Sequence, residues 1–323
     1  MGINGLMVYL REKHPQVFLK SPVKCTGVAY VDTPLLTMSC GMVGMSSDAS
    51  LDPYALLVAK LQNTIFLLQQ TGVQEIIFVF DGPTRPEKIE TCVIRQQTIQ
   101  KVATKRKREE PQVQFVSTLI EEEDTSSLTP STFLPSEPEV LKEYEIFQQA
   151  SIDHQLESDL YVASMIACGK DVGVLKDLGR FAKTFLESKG VRTLQAPHDS
   201  ESFIAHTMTL GDLAYTCDSD ALPFGCSLIV QYLGTPKETW IKLQDVLEEL
   251  KMDLLTFRKF CVMLGSDFNP RLPKCGPAKV QQCIKTFSTF EKYCRDNAQR
   301  MTEDDKLKWI AAAEKSLQVF CSG

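Results

Sequence analysis

The sequence predicts an α/β fold built on a parallel sheet, and three features carry that expectation. Two short apolar runs, GVAYVD (27–32) and QEIIFVFD (74–81), have the length and β-branched content of strands buried on both faces, and each closes on an aspartate. Between them YALLVAKLQNTIFLLQQTG (54–72) repeats its apolar residues at helical spacing. After a long interruption the alternation resumes: VLKDLGRFAKTFLESKG (174–190) is helical and ends on Gly190, VRTLQAP (191–197) is extended, a helix starts at Asp199, and LAYTCDSD (213–220) and SLIVQYL (227–233) follow. Strands alternating with helices imply parallel neighbours joined by crossovers.

The remaining elements fall around this core. Residues 82 to about 170 intrude on the alternation. The intrusion opens with a basic helix, PEKIETCVIRQQTIQKVATKRKR (86–108), passes through the low-complexity IEEEDTSSLTPSTFLPSEPE (120–139), expected to be mobile, and returns through a second helix at 139–168. Past 240 the chain is expected to be mainly helical, with LQDVLEELKMDLLTFRKFCVMLG (243–265), a polar turn, GPAKVQQCIKTF (276–287) and a final helix near 304–320. No internal repeat is visible.

Composition restricts the class. The 323 residues are 43% hydrophobic and 24% charged, ordinary for one large or two average globular domains. No apolar run of membrane-spanning length occurs, and MGINGLMVYLREKHP lacks the apolar centre of a signal peptide, so an intracellular protein of nucleus or cytoplasm, with no membrane partner, is expected. The 11 cysteines are scattered without a CxxC pair, which fits reduced thiols rather than a disulfide frame or a zinc site. A formal charge of -6 argues against general coating of nucleic acid but permits a local basic patch beside an acidic one.

The acidic residues supply the chemistry. Asp218 and Asp220 follow a buried run two residues apart; in an extended segment they would share a face and repel, so a cation lies between them or one is protonated. In a parallel sheet the carboxyl ends of the strands share one edge, where ligands bind. Asp32, Asp81, Asp218 and Asp220 would converge there, joined by Asp199 and Glu201 of APHDSESF and Asp267 of MLGSDFNP. Seven carboxylates at one edge cannot all be ionised unless divalent cations neutralise them, and hard oxygen donors suit magnesium or manganese. A single strand-terminal aspartate is more often a helix cap, and for Asp199 capping and metal binding are compatible.

MGINGL (1–6), VFDG (79–82), APHDSES (196–202), TCDSDALPFG (216–225) and LGSDFNPRLPKCGPAKV (264–280) together resemble the XPG-type flap endonucleases, in order and approximate spacing over nearly the whole chain apart from 105–170. The resemblance implies a PIN-like parallel-sheet core with an inserted helical arch and a C-terminal helix–two-turn–helix region, divided as 1–81, 82–170, 171–251 and 252–323. It implies two magnesium ions, with manganese able to substitute, held by Asp32, Asp81, Asp199, Glu201, Asp218, Asp220 and Asp267. Lys88 and Arg95, seven residues apart on one helix face, match positions that contact the scissile phosphate. Gly2 matches a chain start lying close to DNA; Gly276 and Pro277 fit a turn leading into a helix whose free backbone N–H groups can bind a phosphate, with Lys274 and Lys279 supplying charge near a duplex backbone. The implied activity is 5′-flap cleavage of branched DNA, compatible with 5′-exonuclease action, in replication, repair or recombination.

The chain departs from the family at several points. Met38 stands where an aromatic residue commonly stacks on a base, and a thioether still packs there. The usual Gly-apolar-Gly hairpin reads Lys274, Cys275, Gly276, which bears on the associated monovalent-cation site. Asp199 with Glu201 replaces a pair of glutamates. No sliding-clamp motif follows KSLQVFCSG, as expected of a trimmed viral or divergent relative, although replication proteins remain candidate partners. KRKR (105–108) fits backbone contact, nuclear targeting or simple solvation. Two other readings stay open at this point: an RNA endonuclease of the viral host-shutoff type, and a non-cleaving DNA-binding replication factor.

Overall fold

The computed structural model describes residues 2–19, 21–43, 53–88, 172–286, 289–298 and 301–322. Arg95, KRKR and almost all of the expected arch at 82–170 lie outside the described residues. In chain order the elements are α1 (Leu6–Lys13), β1 (Phe18–Leu19), β2 (Val28–Asp32), α2 (Thr33–Val43), α3 (Pro53–Gln70), β3 (Glu75–Phe80), α4 (Val172–Ser188), β4 (Arg192–Gln195), α5 (Ser200–Thr207), β5 (Leu213–Tyr215), α6 (Ala221–Phe224), β6 (Leu228–Gln231), β7 (Thr239–Lys242), α7 (Leu243–Leu250), α8 (Leu254–Leu264), α9 (Pro277–Ile284), α10 (Phe290–Asn297) and α11 (Glu303–Ser322). The stacking position read at Met38 falls on α2, where that side chain is not among those described.

The described strands form one sheet in the order β1-β7-β6-β5-β2-β3-β4. Pairing is parallel from β6 through β5, β2 and β3 to β4, as the alternating pattern requires, and antiparallel at β6–β7 and β7–β1. The antiparallel edge carries no strong sequence signal: β1 is a two-residue bridge, and TWIK runs straight into α7.

Alternation along each strand divides the apolar residues between two faces. Ala29, Val31, Phe78, Phe80, Leu213 and Tyr215 enter the core with Leu57, Leu61 and Leu68 of α3 and Leu178 and Ala182 of α4. Tyr30, Ile77, Val79 and Ala214 enter the other core, against α1, α5, α6 and the C-terminal helices. A sheet covered on both faces leaves its strand ends as the open functional edge.

The expected helical run 243–265 divides in two. Lys251 takes a left-handed φ of 56°, and Asp253 caps α8 by accepting the Thr256 N–H at 2.7 Å. Asp-x-x-Thr is a cap pattern, and here the local hydrogen bond outweighs continuous helical periodicity. Beyond α8, Gly265 has φ 86°, and a Cβ there would meet the Arg271 nitrogen at 2.6 Å, so the turn requires glycine. Ser266 N–H donates to the Asn269 carbonyl at 2.9 Å, and Asn269 Nδ2 donates to the Val262 carbonyl at 2.8 Å. Phe268 packs edge-on against Phe224 and Phe320, while Trp309 Nε1 donates to the Pro270 carbonyl. These contacts hold the loop that carries Asp267 against α6 and α11.

Candidate active site

Asp32 ends β2 and is 3% exposed. Its two oxygens accept from Ser200 Oγ at 2.9 Å and Thr216 Oγ1 at 2.8 Å. Neither hydroxyl was singled out from the sequence; their partner lies 168 and 184 positions away, beyond any local pattern. Ser200 also donates its backbone N–H to Asp81 Oδ1 at 2.9 Å, so the first residue of α5 ties together the ends of β2 and β3. Asp81 itself stands at the exposed rim of the edge.

Asp218 and Asp220 do converge, but not as the sequence suggested. The strand β5 stops at Tyr215, and Asp220 has helical φ and ψ of -64° and -23° at the start of α6. The two carboxylates share a turn rather than a strand face: Asp220 N–H donates to Asp218 Oδ1 at 3.0 Å, and Asp218 N–H donates to Thr216 Oγ1 at 3.0 Å. Short acidic side chains bond readily to nearby backbone, which favours a turn over an extended run.

The chain start closes on this turn. Ile3 N–H donates to Ser219 Oγ at 2.8 Å, and Gly2 is buried with φ 96°. A Cβ at Gly2 would stand 2.2 Å from Asp218 Oδ1 and 2.4 Å from Ser219 Oγ, so only glycine fits beside the acidic group. Asn4 N–H donates to the Gly265 carbonyl, linking this segment to the Asp267 loop.

Asp199 occupies the N-cap position of α5, yet its side chain makes no cap bond. It faces two cations instead: Arg85 Nε lies 2.8 Å from Oδ2, and Lys88 Nζ lies 2.5 Å from Oδ1. Arg85 also donates to Ser202 Oγ at 3.0 Å, and Lys88 lies 5.0 Å from the centre of the Phe268 ring. Arg85 was missed by sequence reading; its one local signal is its place in DGPTRPEK, between the Asp81 strand end and Lys88.

Proximity of the carboxylates is visible in their ionisation. Burial first, then the Asp81 charge, push Asp32 up to about 7, against the Thr216 and Ser200 hydroxyls that favour its charged form. Burial and the neighbouring Asp32, Asp218 and Asp81 hold Glu201 well above the carboxylate range. Burial, Asp218 and Asp267 do the same for Asp220. Asp218 is raised mainly by burial, with Asp267 adding to the rise, and Asp81 is raised by loss of hydration. Burial alone would lower Lys88, but Asp199, Glu201 and Asp220 outweigh it and keep the ammonium charged. The sheet edge therefore joins Asp32, Asp81, Glu201, Asp218, Asp220 and Asp267 in one mutually repelling group, with Asp199 beside it under cationic cover.

Whether this group suits a divalent cation is tested by donor chemistry. Among the described residues no three acidic, histidine or cysteine side chains form a ready-made chelating set. However, the donors are hard oxygens, and the buried Asp220 Oδ1 has no hydrogen-bond partner, a costly condition that a cation relieves. The residues fit magnesium or manganese on that ground. An expected outcome follows for stability. A carboxyl whose folded pKa is raised contributes stability below its unfolded pKa, near 4, and loses it as pH rises through about 7. In EDTA, thermal denaturation should give a lower Tm at pH 8 than at pH 5, and millimolar magnesium should reverse much of the fall at pH 8. A Tm at pH 8 indifferent to magnesium would count against cation binding.

The predicted basic turn lies at α9. Gly276 is the N-cap and Pro277 the first helical residue, with Lys274 and Lys279 exposed. Lys274 adopts a left-handed φ of 59°, so the backbone keeps a conformation suited to glycine although the residue is not one. Gly5 approaches Pro277, which sets this turn beside α1 and the chain start.

Residues 190–267 match the family model described as the XPG I-region, a span that contains Asp199, Glu201, Asp218, Asp220 and Asp267. Flap endonuclease 1 of Leishmania braziliensis is 26% identical over 176 residues, covering 52% of this chain and 42% of that protein. Flap endonuclease 1 of Caenorhabditis elegans is 28% identical over 127 residues, covering 37% of this chain and 33% of that protein. The chain thus aligns with less than half the length of these relatives. The catalytic core of Rad2, solved in complex with DNA substrate, superposes with a TM-score of 0.55 at 18% identity over 97% of this chain and 85% of that one. Human GEN1, solved in complex with Holliday junction DNA, gives 0.54 at 15% identity over 98% and 64%. At such identities the likeness is one of fold and bears out the α/β core, while the resemblance to XPG-type nucleases is borne out by the XPG I-region match and the flap endonuclease 1 relatives. No helix among the described residues is long and apolar enough to cross a membrane.

Proposed function

We propose, on the premise of its resemblance to the XPG-type flap endonucleases, that this chain is a structure-specific DNA nuclease that hydrolyses a phosphodiester bond beside a branch point, with 5′-flap DNA as substrate. The observation that supports this most is the convergence of carboxylates at the carboxyl edge of the parallel sheet, with the buried Asp220 Oδ1 lacking a partner. Asp32, Asp81, Asp199, Glu201, Asp218, Asp220 and Asp267 would hold two magnesium ions. When bound, such ions lower the pKa of an attacking water and offset charge on the phosphate.

The side chains of the chain itself supply position and charge. Ser200 and Thr216 fix both oxygens of Asp32, leaving that carboxylate little freedom to rotate. Lys88 stays protonated in a half-buried place against Phe268 and offers positive charge where negative charge develops on the phosphoryl oxygens. Arg95 is proposed for the same role. Gly2, having no side chain, lets the chain start pack directly against Asp218 and Ser219 at the edge where the DNA backbone is proposed to lie. The free N–H groups at the start of α9, with Lys274 and Lys279, are suited to the backbone of a duplex arm and carry no sequence information. Water adds to phosphorus and the 3′ oxygen leaves, giving a 5′-phosphate and a 3′-hydroxyl.

The test is cleavage of end-labelled 5′-flap DNA, plain duplex and structured RNA by the purified protein in magnesium, manganese, calcium or EDTA. Cleavage near the flap junction in magnesium and manganese is expected, with none in EDTA and little in calcium, whose looser coordination supports binding better than chemistry. Robust calcium-driven cleavage would overturn the two-ion reading, and faster cutting of RNA would replace the DNA substrate with RNA.

A further inference from the structure

We infer that Arg85 is a positioning residue: it grips Asp199 through one carboxylate oxygen and thereby sets how the other oxygen meets Lys88 and the acidic group. This inference rests on the proposed cation-binding site and adds to it a residue that no motif marks. Arg85 Nε holds Asp199 Oδ2 at 2.8 Å, and its terminal nitrogen holds Ser202 Oγ at 3.0 Å, so one planar guanidinium spans the N-cap and the first turn of α5. Oδ1 remains toward Lys88, which is itself influenced by Glu201 and Asp220.

The arrangement differs from an ordinary surface ion pair. The Arg85 and Asp199 side chains are only 15% and 10% exposed, so neither is well screened by water. The backbone that carries Arg85 is also pinned. Gly82 N–H donates to the His198 carbonyl at 2.6 Å, His198 Nδ1 meets the Pro83 carbonyl at 3.1 Å, and a Cβ on Gly82 would stand 2.3 Å from the Ala196 carbonyl oxygen. Pro83 and Pro86 restrict φ on either side. The loop after β3 is thus fastened to the loop after β4, and Arg85 reaches Asp199 from a fixed base. A carboxylate that binds a cation works best when its free oxygen is held by a hydrogen bond, and loss of such a holder typically weakens binding or activity by about 10- to 100-fold.

The test uses the full chain and manganese alone, titrated calorimetrically without DNA, alongside single-turnover cleavage of flap DNA. Arg85→Ala should raise the manganese Kd about 10-fold and slow cleavage by a similar factor. Arg85→Lys keeps the charge but loses the two-pronged grip, and should lie between the two. The effect should vanish in an Asp199→Asn background, because Arg85 acts through that carboxylate. An unchanged Kd in Arg85→Ala, or an equal loss with Asp199 already changed, would overturn the inference. Should Arg85→Ala fail to fold, Ser202→Ala and Arg85→Lys decide: a raised Kd in both supports the positioning role, and any other result removes it. An unmutated protein that neither binds manganese nor cleaves defeats the proposed function and this inference together; normal binding and cleavage with an indifferent Arg85 defeats this inference alone.

Discussion

Asp220→Asn should lower single-turnover cleavage of flap DNA by about three orders of magnitude, the scale seen when a principal charge-stabilising group is lost at a phosphoryl centre. The amide keeps the shape of the side chain and removes its charge. Asp220 is 2% exposed, its Oδ1 has no partner, and Asp218 and Asp267 press on it electrostatically. Its carboxylate is therefore poorly placed to stabilise the protein and well placed to hold a cation. Flap binding, measured by fluorescence anisotropy in calcium, should be unchanged or tighter, because one negative charge facing the phosphate backbone is gone. Without divalent ions the variant should also melt higher than the unmutated protein at pH 8. Cleavage at the unmutated rate would end the two-ion reading.

Lys88→Ala should slow the same step by about one to three orders of magnitude while changing affinity much less, since its charge is used where phosphoryl charge develops rather than along the bound strand. The fold should survive the substitution. Asp199 keeps Arg85, and Phe268 stays packed against Phe224 and Phe320. Rapid-quench kinetics at saturating enzyme separate the two effects. A loss of affinity in proportion to the loss of rate would make Lys88 a docking residue instead.

The sheet core was legible because its signals are local. GVAYVD and QEIIFVFD are short apolar runs ending on aspartate, and they became the adjacent parallel strands β2 and β3, with Asp32 in register with Val79. The helices at 174–190 and 304–320 were likewise legible from spacing, and they became Val172–Ser188 and Glu303–Ser322. Two features were missed for a physical reason. Continuous helical periodicity over 243–265 hid the Asp253 cap, and β1 and β7 are too short to show alternation.

By itself the sequence determined which acidic residues end the strands and begin α5, because strand and helix boundaries are set by neighbouring residues. How those residues meet was decided by tertiary structure. The Ser200 and Thr216 hydroxyls on Asp32 and the Arg85 grip on Asp199 are hydrogen bonds made when β2, β3, β4 and β5 align. Their partners lie more than a hundred positions away in the chain, where no periodicity reaches; burial raises the carboxylates, and the carboxylates gathered beside Lys88 keep it charged against that same burial.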